Sequence, residues 1–334
     1  PKLNIDGRAN LSTKYMGLEL KNPLLLRINS NSPYSNIDSL KRAEDAGFSA
    51  VVLKSIYEEQ INASMEGDMK EASDYLSMSD AYGFLSNASK EYYVGQYLDF
   101  VAKAKEALSI PVIARINCSN SKSWLDFANM FASCKADAIE IDHFNINGNT
   151  EVTGAAIEKE YLAMAKEVRN AIKKPLAMKL SWNFTSIANI TKSLSRLGMD
   201  GIVLFNHISR SDIDIENVKV MDKGIQPTGD FSETLRWTAM VSHEVKANIC
   251  SATGIRESST IIKLLLAGAK AVQIGSIAEE KGLNCAGDFI KDIIEWMDRH
   301  NYSSMVDFNG LLAQERITNP EVWERHALVN RLTK

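Results

Sequence analysis

Cysteine is scarce in this chain. Its four cysteines, Cys118, Cys134, Cys250 and Cys285, are widely scattered and form no C-x-x-C pair. That spacing argues against a disulfide framework or a cysteine-ligated zinc site and suits a reducing compartment. Basic excess is absent too: 38 Lys and Arg against 42 Asp and Glu leave a formal net charge of −4. No cationic footprint for nucleic acid exists. No apolar run reaches membrane-spanning length, and the first fifteen residues lack the apolar core of a signal peptide. A soluble cytoplasmic protein, with neither membrane nor nucleic acid as partner, is the expectation. Gly/Ser linkers and low-complexity tracts are missing, which points to one domain over residues 1–334. No His/carboxylate spacing resembles a metal site, so no metal is expected.

What the chain does have is a repeated pattern. Eight short apolar runs recur: Pro23–Leu26, Ala50–Lys54, Pro111–Arg115, Ala138–Asp142, Leu176–Lys179, Gly201–Asn206, Ala247–Cys250 and Ala271–Gly275. Continuous rather than alternating apolarity suits strands covered on both faces of a parallel sheet. Helix-forming segments separate the runs: Ile37–Ala46, Tyr97–Leu108, Ala155–Ile172, Ile187–Leu197, Ser232–Val245, Ser258–Leu266 and Ala286–Arg299. Eight such runs alternating with helix-forming segments predict an α/β fold of the (β/α)₈ TIM-barrel type. Two connections, Ile56 to Gly95 after the second strand and Ile208 to Asp230 after the sixth, are too long for ordinary turns and read as inserted loops. The segment after Asn301 reads as a C-terminal tail.

Barrels of this type work at the C-terminal ends of their strands. Lys54 and Lys179 both fall there. A lysine beside a barrel core loses hydration and needs an anion or dipole to offset it. Each therefore faces a ligand rich in oxygen or phosphate, or else snorkels to solvent or pairs with Glu140 or Asp142. Glu140 and Asp142 share a strand face by alternation, as an acid/base pair or as ion-pair partners of Lys179 and Arg115. His143 is the obvious general base by its pKa range, unless it is structural. Asn206 ends the sixth run and can hydrogen-bond a substrate. Gly254, Gly275 and Ser276 follow the last two strands, where barrel enzymes hold phosphate on backbone N–H groups.

At these residues the chain resembles the dihydroorotate dehydrogenase family of FMN barrels. The match covers Gly17–Leu24, Ala50–Lys54, Ile110–Ala114, Lys174–Lys179, Gly201–Asn206, Leu266–Ala269 and Val272–Ser276. Glu58–Ile61, Asp212–Asp214, Leu235–Trp237 and Trp296–Met297 are similar to the branch called dihydroorotate dehydrogenase-like proteins. The resemblance implies FMN as cofactor and oxidation of a small planar or anionic substrate; dihydroorotate, on the route to pyrimidines, is the family's own. It implies that Lys54 contacts the ring or substrate, that Lys179 supports the ring's electron-accepting edge, and that Asp142 replaces a flavin-contacting Asn. Asn206 would touch substrate, and Gly254, Gly275 and Ser276 would hold the phosphate. A homodimer is the assembly considered.

The chain departs from that pattern at Asn145, which stands at the family's Cys or Ser base and cannot accept a proton at neutral pH. Asp80–Phe84 replaces an Asn-rich substrate loop, Arg27 a small residue beside the flavin, and Thr253 the first glycine of the phosphate turn. The alternative to an FMN oxidoreductase is a non-catalytic barrel that binds a phosphorylated ligand or serves as a subunit of a larger complex. A metal-dependent lyase, or a Schiff base on Lys179, has the least support.

Overall fold

Each of the eight apolar runs forms a strand in the computed structural model, which describes residues 9–29, 32–62, 79–117, 121–143, 146–206, 211–222 and 229–324. The strands are β3 (Leu24–Arg27), β4 (Ala50–Tyr57), β5 (Val112–Asn117), β6 (Ala138–Asp142), β7 (Leu176–Leu180), β8 (Gly201–Leu204), β11 (Asn248–Ser251) and β12 (Ala271–Ile274). All pair in parallel, in the order β3-β4-β5-β6-β7-β8-β11-β12, and β12 returns to β3. The (β/α)₈ barrel expected from the sequence is therefore the observed fold.

Alternation sorts the side chains. Ile113, Ala138, Ala177, Val203 and Ala271 pack together inside the barrel, while their neighbours Val112, Ile139, Met178, Ile202 and Val272 join the larger cluster under the helices. Those helices are α1 (Ile37–Asp45), α2 (Ser79–Ala107), α3 (Ser121–Ala132), α4 (Gly154–Ala171), α5 (Ile187–Arg196), α6 (Ser232–Val241), α7 (Ser258–Leu266), α8 (Ser276–Lys281) and α9 (Cys285–Arg299). The N-terminal end of the barrel is plugged by a hairpin of β1 (Thr13–Tyr15) and β2 (Leu18–Leu20), whose two turn residues, Met16 and Gly17, both have positive φ. Its Met16 N–H donates to Asn248 Oδ1 at 2.8 Å, at the start of β11. A Cβ on Gly201, the first residue of β8, would lie 2.9 Å from Met16 Cγ and Tyr15 Oη.

The long connection after β4 contains the first half of α2, a 29-residue helix that begins well before the expected Tyr97. The connection after β8 carries an exposed antiparallel hairpin, β9 (Ser211–Asp214) with β10 (Lys219–Asp222). The tail packs through a short helix, α10 (Met305–Phe308), and then Asn309. The Asn309 amide donates to the carbonyls of Leu265 and Ala269 at the end of α7. Among the described residues, no helix is long and apolar enough to cross a membrane and no group of His, Cys, Asp and Glu is arranged for a metal ion.

Candidate active site

The inward positions change character from the middle of the barrel to its C-terminal mouth. On β6 the sequence Ala138, Glu140, Asp142 climbs one face; on β7 it is Ala177 then Lys179; on β5, Ile113 then Arg115; on β12, Ala271 then Gln273. An apolar lower layer is thus capped by a charged one. Lys179 is 0% exposed, Arg115, Glu140 and Gln273 1% each, and Asp142 3%. Charges buried to this degree must be paired and hydrogen-bonded.

The pairing is partial. Lys179 Nζ donates to Gln273 Oε1 at 3.0 Å and lies 4.0 Å from Glu140 Oε1, while the Gln273 amide donates to Glu140 Oε2. Arg115 Nε stands 3.5 Å from Asp142 Oδ2. The ion-pair reading of the two carboxylates therefore holds: Glu140 goes with Lys179 and Asp142 with Arg115. Burial pulls the Lys179 ammonium down to about 7, and the Arg27 charge adds to this while Glu140 and Asp142 oppose it. Burial also lowers Arg27, with Arg115 as the like-charged neighbour. For Arg115 burial acts downward, but Asp142 and Glu140 outweigh it and the net shift is upward.

Several polar atoms at this level lie out of solvent without a hydrogen-bond partner. They are Arg27 Nε, Arg115 Nε and Nη1, Asn117 Nδ2, Asn206 Nδ2 and Ser55 Oγ, with Glu140 Oε1 and Asp142 Oδ1 as acceptors. N–H donors predominate.

The structure brings Asp142 and Lys179 into one charged layer, and it places Asn206 just beyond β8, its N–H on Leu180 O. Lys54 is set by a bulge. Pairing of β4 with β5 steps from Val52↔Ile113 to Ser55↔Arg115, so Leu53 and Lys54 together oppose Ala114. This bulge puts Ser55 level with Arg115 and takes Lys54 out of the buried charge layer. Lys54 and Ser55 both line a cavity of about 410 Å³ with Leu40, Leu53, Tyr97 and Phe100. His143 also stands apart, stacked on Tyr161 (5.4 Å between ring centres) with Trp124 edge-on at 5.5 Å, among side chains of α3 and α4. Asn145 lies outside the described residues.

At the phosphate end, Gly254 has φ +79°, and a Cβ there would meet Asp230 O at 2.4 Å. Its need for glycine comes from the close approach of its own chain before α6. A Cβ on Gly275 would find nothing nearer than Asn29 Nδ2 at 3.6 Å, and Ser276 opens α8 just beyond it. Thr253 Oγ1 donates to Phe205 O. The sequence reading passed over Gln273, Asn117 and Ser55. The polar residue interrupting Ala271-Val272-Gln273-Ile274 was the available signal for the first; only the bulge reveals the last.

Comparison with known proteins agrees with this architecture. The model of the family described as dihydroorotate dehydrogenase matches residues 10–297. The "Dihydroorotate dehydrogenase B (NAD(+)), catalytic subunit" of Thermoplasma acidophilum is 26% identical over 318 residues, covering 91% of this chain and 99% of that protein. Its namesakes from Pyrococcus horikoshii (26% over 310 residues, 90% and 97%) and Methanocaldococcus jannaschii (27% over 311 residues, 88% and 96%) are similar over the same span. With the barrel, the charged mouth and a match over most of its length, the chain belongs to the dihydroorotate dehydrogenase family.

Proposed function

We propose that this chain is a flavin-dependent oxidoreductase that takes up FMN at the C-terminal mouth of a single barrel domain and oxidises a small organic substrate there. The observation that carries the reading is the buried donor set: the unpartnered Asn206 amide, with the Lys179 ammonium beneath the mouth. A ring system with electron-rich oxygens and nitrogens along one edge fits donors of this kind. The residues that would hold it are Lys179, Asp142 and Asn206 at the ring, and Gly254, Gly275 and Ser276 at the phosphate. Of the two glycines, Gly275 leaves the more open approach.

Bound FMN would supply the hydride acceptor. The chain's own part is electrostatic and steric. Lys179 Nζ, held by Gln273 and Glu140 and brought near neutrality in pKa, can carry positive charge where negative charge develops. The dry lower layer of Ile113, Ala138, Ala177 and Val203 lowers the local dielectric and strengthens that effect. A side chain that removes the substrate proton is missing at Asn145, because an amide is not a base.

Anaerobic mixing of the FMN-loaded protein with dihydroorotate tests this. General-base loss costs roughly 10²–10⁴-fold in rate, so bleaching of the flavin by dihydroorotate should be slow and should quicken in Asn145→Cys. Rapid bleaching of the native protein would overturn the missing-base account. The alternative, a barrel that binds a phosphorylated ligand without redox chemistry or works as a subunit of a complex, draws on the tight packing of Gly254 against Asp230.

A further inference from the structure

Neither Arg27 nor Arg115 is among the residues proposed to hold the flavin. Arg27 ends β3 and Arg115 lies on β5, with only the bulged β4 between them, whereas Lys179 and Asn206 come from β7 and the end of β8. Three cationic side chains meet two carboxylates here. Asp142 lies against Arg115 and Glu140 against Lys179, and among the described residues no carboxylate is within ion-pair distance of Arg27. The two guanidiniums are mutually repulsive, and with Arg115 buried and Arg27 half-buried, little water screens the repulsion.

The hydrogen-bond account points the same way. Arg27 Nε, Arg115 Nη1 and Asn117 Nδ2 are N–H donors on β3 and β5 that are buried without a hydrogen-bond partner, Arg115 Nε has only the 3.5 Å ion pair with Asp142, and Ser55 Oγ on β4 lies level with Arg115. Each unmet buried donor costs on the order of 1–3 kcal/mol, and more when charged. Guanidinium forks answer that deficit best with a planar or tetrahedral oxyanion, which accepts several N–H bonds at once and cancels charge.

The geometry points to an oxyanion site between Arg27 and Arg115, completed by Asn117 and Ser55, that takes the carboxylate or phosphate group of a small ligand. Assigning that group to the substrate rests on the proposed function; the anion site itself does not, since every residue in it belongs to this chain and none is among the flavin-holding residues.

Isothermal titration at low ionic strength tests it, on flavin-free and on FMN-loaded full-length protein, with inorganic phosphate, orotate and the neutral analogue uracil as probes. Orotate or phosphate should bind to flavin-free protein while uracil does not. Arg27→Gln and Arg115→Gln should each weaken that binding about tenfold or more, the scale of a lost charged hydrogen bond. Binding of orotate alone identifies a substrate carboxylate, and binding of phosphate alone a phosphoryl group. Arg115→Gln strips Asp142 of its buried partner and can unfold the barrel; Arg27→Gln leaves no carboxylate unpaired and serves as the second variant. Equal binding of uracil and orotate, no binding of either anion, or unchanged affinity in a folded Arg27→Gln would overturn the site. Flavin absorbance in the same samples reports separately on FMN: anion binding without flavin uptake would sink the flavin reading and leave the anion site standing.

Discussion

Replacing Lys179 by Met should change how the stability of the barrel depends on pH. In the folded protein burial brings the ammonium from 10.5 down to about 7, whereas in the unfolded chain it returns to its ordinary value. Between these two limits the unfolded chain holds a proton that the folded one has released, so stability rises with pH there. Below pH 7 both states are protonated and the contribution is flat. Each unit of the difference is worth 1.36 kcal/mol, so the gain from pH 7 to 10.5 approaches 5 kcal/mol as an order of magnitude. Other groups titrate in the same range, but they are shared by both proteins and cancel in the difference. The assay is urea unfolding of flavin-free wild type and Lys179→Met at intervals from pH 6 to 10, because a non-ionic denaturant leaves the charges unscreened. The wild type should gain on the variant by about 1.4 kcal/mol per pH unit above 7. Parallel stability curves across the whole range would refute the picture of a desolvated ammonium at the heart of the mouth.

Gly254→Ala should destabilise the folded protein by about 2 kcal/mol or more, since φ +79° and the 2.4 Å approach of Asp230 O both penalise a side chain; thermal unfolding measures it, and an unchanged midpoint would contradict the close packing. His143→Phe should leave flavin affinity and any flavin reduction rate unchanged, because the imidazole is packed as an aromatic ring, stacked on Tyr161 with Trp124 edge-on, and phenylalanine keeps that packing. A marked fall in either quantity would return His143 to the site.

Much of this architecture was legible in the order of residues. All eight runs became strands because a parallel barrel buries both faces of each strand, and that demand leaves a strong compositional trace. Strand alternation alone put Glu140 and Asp142 on one face and His143 on the other. Features set by backbone irregularity were harder to see. The bulge after Val52 shifts the inward set from Lys54 to Ser55, yet Ala-Val-Val-Leu-Lys carries no sign of it. The plug hairpin turns at Met16-Gly17, with a non-glycine residue at positive φ where a turn signal would ordinarily show Asn or Asp. Helix α3 carries its signal in Trp124, Phe127 and Phe131, which recur at helical spacing on its buried face. Gly254 illustrates a different limit: a glycine that receives phosphate and one that admits a neighbouring backbone look alike in sequence.

The proposed function requires this mouth to hold a flavin beside the buried Lys179. Titration of flavin-free protein with FMN, followed by quenching of flavin fluorescence and by the visible spectrum after desalting, tests it most directly. The expected result is saturable binding of one FMN per chain, weakened in Lys179→Met. A protein that stays colourless, with no quenching at excess FMN, would contradict it.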